Sequence, residues 1–167
     1  MDGGGDQLED DSSHEPSSDE DISDYDEDDE QGWTELMSYS IFGNEDVVAH
    51  LLTLPTTNID ARNVHEKTAL HLAAWGGNLG IVKLLVAHGA SLEVTDMDGN
   101  NVLVSAALGF KDLIDEDEDY SEVLAEEYRE LIKYLVESVG LPVPDQVLQL
   151  LAFDPETLAV CQRASGE

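Results

Sequence analysis

The most constraining feature of this sequence is the stretch 67–94, whose residues follow the order that two short antiparallel helices require. Thr68 can begin the first helix by offering its hydroxyl oxygen to a free backbone N–H. Gly77 permits the left-handed turn between the helices, and Gly89 ends the second helix in the same way. The second helix carries an apolar stripe made of Ile81, Val82, Leu84 and Leu85. We therefore predict a helix–turn–helix unit in which Leu70 and Leu84 fill the core.

The same stretch resembles an ankyrin repeat. That family combines a Thr-Pro-Leu-His opening, an Ala-Ala pair, a Gly, an Ile-Val…Leu-Leu stripe and a closing Gly-Ala. The matching residues are Thr68, Leu70, His71, Ala73, Ala74, Gly77, Ile81, Val82, Leu84, Leu85, Gly89 and Ala90, and Ala69 replaces the proline of the pattern. The resemblance implies an all-α repeat solenoid that binds other proteins and rarely does chemistry, with a structural, hydrogen-bonded histidine at His71.

A single unit of this kind cannot bury its own apolar face, so neighbouring units should exist. Upstream, 29–34 fits an Asp-x-x-Gly-x-Thr start, and Thr34 precedes Thr68 by 34 positions, close to the family period of about 33. Downstream, 96–107 opens a third unit that lacks the Thr and the His, and its second helix resumes near 131–136. We therefore predict a short stack of three to four helix–turn–helix repeats with hairpin loops.

The sequence divides into an acidic tail at 1–31, a repeat stack at 32–140 and a C-terminal segment at 141–167. An acidic insertion at about 111–129 interrupts the third unit. We predict an acidic loop there, followed by one lengthened helix from Ser121 to Val139. The last segment should form two short helices, as a cap or a degenerate fourth repeat; one runs through Val147–Leu151 and one follows Asp154-Pro155.

The tail holds 15 Asp and Glu residues and no Lys or Arg, so it cannot bury enough apolar surface to offset the entropy of ordering. We expect it to be disordered. Four serines have an acidic residue three positions later, as acidophilic kinases prefer, and are possible phosphorylation sites: Ser12, Ser17, Ser18 and Ser23. The acidic start is unlike a signal peptide, no apolar run approaches a membrane span, and a single cysteine suits a reducing compartment. We expect a monomer that is cytoplasmic, nuclear or both.

In ankyrin arrays the hairpin tips and the exposed positions of the first helices usually contact partners. The predicted partner-binding residues at those positions are Trp33, Phe42, Val64, His65, Lys67, Trp75, Met97, Asp98, Asn100 and Leu108. Soluble surfaces rarely expose aromatic and methionine side chains together, and interface centres are enriched in them. Two interpretations stay open. These side chains bind a partner, with Trp75 as the main contact, or they pack under the tail or between repeats.

The sequence contains no pattern that indicates a catalytic or metal-binding site. The five histidines show no paired metal spacing, and 96–100 lacks the alternating ligands and distal Glu of a calcium loop. Cys161 follows the apolar Val160 and is predicted as a buried core residue. We therefore expect no catalytic residue, no metal and no cofactor.

Two functions of different class remain. The first is an adaptor that binds one protein on its concave face, while the tail adds solubility or steers encounter. The alternative is an acidic chaperone or escort for a strongly basic client, such as a ribosomal protein or histone. The formal net charge of −31 favours a basic partner and disfavours direct nucleic-acid binding, because phosphates would be repelled.

Overall fold

A computed structural model describes residues 32–116 and 121–166. The acidic tail with its four serines, and 117–120 of the predicted insertion, lie outside the described residues. The helices are α1 Glu35–Ile41, α2 Glu45–Leu51, α3 Ala69–Trp75, α4 Leu79–Ala87, α5 Val102–Glu116, α6 Glu122–Lys133, α7 Asp145–Leu150 and α8 Pro155–Ser165, and a π-helical turn, Tyr134–Ser138, extends α6.

The helices form two parallel rows. The inner row consists of α1, α3, α5 and α7, and the outer row consists of α2, α4, α6 and α8, because each helix contacts its counterpart in the next pair. Each pair also packs internally, so that every unit covers the apolar face of its neighbour. The predicted all-α stack of helix–turn–helix units is confirmed.

The first three inner helices, α1, α3 and α5, begin at regularly spaced residues that can cap a helix. Thr34 accepts a hydrogen bond from Met37 N at 3.2 Å, and the side-chain oxygen of Asn101 accepts one from Val104 N at 3.0 Å. Thr68 holds the same place at the start of α3. The third unit therefore replaces the missing Thr of the repeat pattern with another residue that can cap a helix.

His71, which the resemblance implies to be hydrogen-bonded, contacts Thr68 at the start of α3. His71 Nδ1 lies 3.4 Å from Thr68 N, which donates to it, and 3.0 Å from the Thr68 hydroxyl. Burial lowers the pKa of His71, although the backbone oxygen of Asn100 and the carboxylate of Asp96 act in the opposite direction. The histidine is thus a neutral hydrogen-bonding residue of the fold, consistent with its role in the resemblance.

The core prediction is wrong for one residue, Leu84. Leu70 and Leu85 are fully buried, whereas Leu84, which was predicted to fill the core, is only half-buried. Successive residues on an α-helix point about 100° apart, so the side chain next to a buried position can face the rim of the stack.

The predicted acidic loop is wrong for 111–116, the part of it that the structure describes. Helix α5 continues to Glu116, because Leu113 and Ile114 pack against the core and hold this part of the insertion in the helix. The predicted long helix is present as α6 with its π-helical extension, which places 122–129 of the insertion in the outer row.

Helix α8 of the C-terminal pair begins at the residues that the sequence predicts. Asp154 accepts a hydrogen bond from Thr157 N at 3.3 Å, and Pro155 occupies the first position of α8. Cys161 is buried, and burial raises the pKa of its thiol to about 11. A thiol held in its protonated form is a weak nucleophile.

Candidate protein-binding surface

Two hairpins with the same internal hydrogen bonds precede α3 and α5. In the first, the Asn63 side-chain oxygen accepts from His65 N and Lys67 N, both at 3.0 Å. In the second, the Asp96 carboxylate accepts from Asp98 N at 3.0 Å and from Asn100 N at 2.9 Å. Asn63 and Asp96 are themselves buried. The residues that follow each of them, including Val64 and Met97, form the tip of the hairpin.

The hairpin tips stack directly on one another. Met97 N donates a 3.0 Å hydrogen bond to the carbonyl oxygen of His65, which fixes the spacing of the two tips. The side chains of Val64 and Met97 are exposed there, and we call these two residues the tip patch.

A second exposed apolar pair lies at the opposite end of the inner helices. Phe42 directly follows α1 and has 79% of its surface exposed, and Trp75 is the last residue of α3 and has 39% exposed. Asn78 joins the two helix ends, because its side-chain nitrogen donates to Ser40 O at 2.8 Å and to Ile41 O at 3.0 Å. We call Phe42 and Trp75 the turn-end patch. Helix α3, which has 7 residues and is therefore about 10 Å long, lies between the two patches.

Trp75 is held on both its side chain and its backbone. The indole N–H donates to the Asp112 carboxylate at 3.2 Å, and the Tyr128 hydroxyl donates to the Trp75 carbonyl oxygen at 2.6 Å. Helix α5 also approaches very closely here, since a Cβ on Gly109 would lie 1.9 Å from that carbonyl oxygen. Trp75, whose ring is partly exposed, is therefore held by contacts with both α5 and α6.

The ten predicted partner-binding residues separate by burial. The exposed ones are Phe42, Val64, His65, Trp75, Met97 and Asp98; the half-buried ones are Trp33, Lys67 and Leu108. Lys67 lies 4.0 Å from the buried carboxylate of Asp96, and Trp33 and Leu108 pack against the core.

The structure corrects the prediction that Asn100 binds a partner. Asn100 is buried, and its side-chain nitrogen donates to Asp96 at 3.3 Å. It stabilises the hairpin and is not part of the exposed surface.

Two residues that support the turn-end patch, Asp112 and Tyr128, were missed as site residues. Tyr128 was visible only as part of the apolar spacing of α6, and no local signal singles out Asp112. Burial, with smaller effects from Asp112 and Glu127, raises the pKa of Tyr128 to about 12, so its phenol stays protonated and remains a donor. Among the described residues no group of His, Cys, Asp and Glu has an arrangement that could hold a metal ion.

Comparison with known proteins agrees with this geometry. A family model of ankyrin repeats (3 copies) matches residues 17–98 and again 36–141, which is more than half of the chain. The chain belongs to the ankyrin-repeat family. Ankyrin repeats are protein–protein interaction modules, and their fold is generally a non-enzymatic scaffold. The expected class of partner is therefore another protein.

Two solved structures are similar to this ankyrin-repeat protein. One is a chain in the complex of the Bd0816 predatory endopeptidase from Bdellovibrio bacteriovorus with immunity protein Bd3460, with a TM-score of 0.62, 19% identity, and coverage of 80% of this chain and 64% of that one. The other is an ankyrin repeat domain from Acinetobacter baumannii AYE, with a TM-score of 0.60, 19% identity, and coverage of 77% and 63%. This chain thus spans less than two thirds of the length of either one.

No curated protein sequence matches the chain significantly. Within 32–116 and 121–166, every helix is too short or too polar to span a membrane.

Proposed function

We propose that this protein is a non-enzymatic adaptor that binds a partner protein on its concave face, with Trp75 as the central contact. The observation that carries the proposal is a partly exposed indole whose N–H donates to Asp112, on a residue whose carbonyl oxygen accepts from Tyr128. A tryptophan fixed before binding loses little conformational entropy on association, and Trp is the residue most enriched at binding hot spots. Phe42 extends this apolar surface along the inner row.

The tip patch supplies a second line of contact. Val64 and Met97 are exposed on hairpins that are locked together, so a partner lying along the inner row can touch both patches at once. The similar Bdellovibrio chain was solved in a complex of two proteins, which supports use of this fold for binding another protein.

The acidic tail has a separate proposed role, in which it accelerates association with partners that carry positive charge. The chain has only seven Lys and Arg residues. In the described part, Arg62, Lys67 and Lys111 are each paired with a nearby carboxylate. The chain therefore offers little free positive surface to hold its own tail. The same observation supports the second candidate function, escort of a strongly basic client.

Affinity purification from extract, washed first at low and then at high salt, identifies the partner and separates the two functions. A neutral partner retained in high salt supports the adaptor, whereas a single basic protein eluted stoichiometrically by salt supports the escort. The isolated partner is then tested against Trp75→Ala and against Leu54→Ala, a control residue of matched exposure, 38% against 39%.

For the adaptor we expect Trp75→Ala to weaken binding by about 2 kcal/mol or more, with the loss persisting in high salt because it reflects apolar burial. Leu54→Ala should bind normally. Full binding by Trp75→Ala, together with loss of binding when the tail is deleted, would favour the escort.

A further inference from the structure

A second candidate binding surface lies on the outer row, away from the two patches of the inner row. It is an open groove of about 500 Å³ between the start of α4 and the exposed side of α6. Its apolar residues are Leu79 and Val123, and its rim consists of Glu122, Glu126, Glu127 and Glu130.

Val123 is not required by the core. The buried side of α6 consists of Ala125, Tyr128, Leu131 and Ile132. Val123 lies on the other side of the helix, and 69% of its surface is exposed. An apolar side chain that is so exposed, beside the partly buried Leu79, gives the groove an apolar floor without a role in packing.

The rim keeps negative charge after its internal ion pairs are counted. Arg129 lies 2.7 Å from Glu122 and 3.2 Å from Glu126, and it also pairs with Asp154 on the α8 side. One cation thus serves three carboxylates. Glu130 pairs with Lys133 at 3.7 Å, and Glu127 forms no ion pair with any described residue.

From these contacts we propose that the groove docks a basic segment of another protein, in which Lys or Arg side chains flank one apolar side chain. The apolar side chain would contact Val123 and Leu79, while the cations would face the glutamate rim. Neither this chain nor a second copy fits that description. The seven basic residues stand at 62, 67, 83, 111, 129, 133 and 163, so no segment holds two adjacent cations, and two copies repel through a charge of −31 each.

The test uses the full chain and a fluorescent peptide, Lys-Arg-Lys-Leu-Lys-Arg-Lys. Two control peptides replace its Leu with Ser, or its Lys and Arg with Gln. Titrations run at low salt and at about 0.5 M salt, where screening limits charge attraction to a few ångströms. The acidic tail attracts both basic peptides equally, so the contribution of the groove is the difference between the Leu and Ser peptides. We expect the Leu peptide to bind about tenfold more tightly than the Ser peptide, and the Gln peptide to bind poorly.

Val123→Asp is the decisive variant. It adds negative charge, and an acidic residue in the first turn of α6 favours the helix, so the fold should persist. Attraction by charge alone would strengthen binding of the Leu peptide, whereas docking on an apolar floor predicts a loss of about tenfold. Leu124→Asp is the matched control, because Leu124 is exposed on the same turn but does not line the groove. It should keep the preference for Leu over Ser.

Amide chemical shifts locate the binding site independently. Perturbations specific to the Leu peptide should cluster at Leu79, Val123 and Glu127, and Trp75→Ala should leave them unchanged, so the outcome is separate from that of the concave face. Equal binding of the Leu and Ser peptides, or tighter binding of the Leu peptide by Val123→Asp, would overturn the proposal. Shifts confined to the tail or to the inner row would do the same.

Discussion

The hydroxyl of Tyr128 donates a 2.6 Å hydrogen bond to the carbonyl oxygen of Trp75, across 53 positions of the chain. This bond connects α6 of the outer row to the last residue of α3 in the inner row. A carbonyl at the C-terminal end of a helix has no partner within that helix, so the phenol satisfies a group that would otherwise depend on water. The stability of the third unit and the position of the exposed indole are therefore coupled.

Tyr128→Phe should remove this hydrogen bond and keep the stacked contact of the ring with Phe110, whose ring centroid is 5.4 Å away. We expect a loss of about 1 kcal/mol of unfolding free energy. Partner binding should weaken as well, because the support of Trp75 becomes looser. Urea denaturation followed by circular dichroism measures the first effect. A variant as stable as the parent protein would show that the bond contributes nothing net.

The pH dependence of that difference gives a second prediction. Tyr128 has a pKa of about 12 in the fold and an ordinary value of 10.0 when unfolded. Its contribution is thus complete below about pH 10 and is lost as the pH rises toward 12, because the unfolded chain gives up the proton first. The stability advantage of the parent protein over Tyr128→Phe should shrink over that interval. Cys161, whose pKa is also raised, is present in both proteins and cancels in the comparison.

A pair of leucine variants tests the corrected core. Leu85→Ala should cost about 2–5 kcal/mol, because the fully buried side chain leaves a cavity between the units. Leu84→Ala should cost clearly less, because the side chain is half-buried. Thermal unfolding of both variants decides the order. Equal losses would mean that Leu84 packs more tightly than its exposure indicates.

These leucines also show how far sequence reasoning reaches in this protein. Thr68, Gly77 and Gly89 have local conformational demands, so the repeat was predictable from them. The choice between Leu84 and Leu85 depends on the rotation of α4 against its neighbours, which a four-residue apolar stripe does not fix. The acidic composition near 111 led to the prediction of a loop, although Leu113 and Ile114 pack against the core and extend α5.

The residues that support the turn-end patch could not be predicted from the sequence, for a different reason. Asp112 contacts Trp75 across 37 positions, and Tyr128 contacts it across 53. Such contacts follow from the lateral packing of α3, α5 and α6, which no local pattern specifies. The exposed positions of Phe42, Val64 and Met97 could be assigned, because they follow directly from repeat periodicity.

Arg129 connects α6 to the C-terminal pair, and its substitution should loosen that end of the stack. Its guanidinium group pairs with Asp154 at 3.4 Å and lies 6.0 Å from the centre of the Phe110 ring. Arg129→Met preserves apolar contact with Phe110 but leaves the mostly buried Asp154 carboxylate without its cation. We expect a loss of about 1–3 kcal/mol and faster amide exchange in α8.

Lys133→Met is the control, because it removes only an exposed pair with Glu130 and should cost less than about 0.5 kcal/mol. Losses of similar size in both variants would contradict a special role for Arg129.

Deletion of 1–28 separates the fold from long-range electrostatics. The segment contains no Lys or Arg and almost no large apolar side chain, so we expect its removal to leave the melting transition nearly unchanged.

The effect of the deletion should appear in the kinetics of partner binding. Association with a basic partner should slow at low salt and become insensitive to the deletion near 0.5 M salt, where the Debye length is only about 4 Å. Stopped-flow association and dissociation rates across a salt series test this expectation, with Trp75→Ala as the comparison, whose effect should lie in dissociation and persist in salt. Loss of helical signal on deletion would show instead that the tail is part of the folded structure.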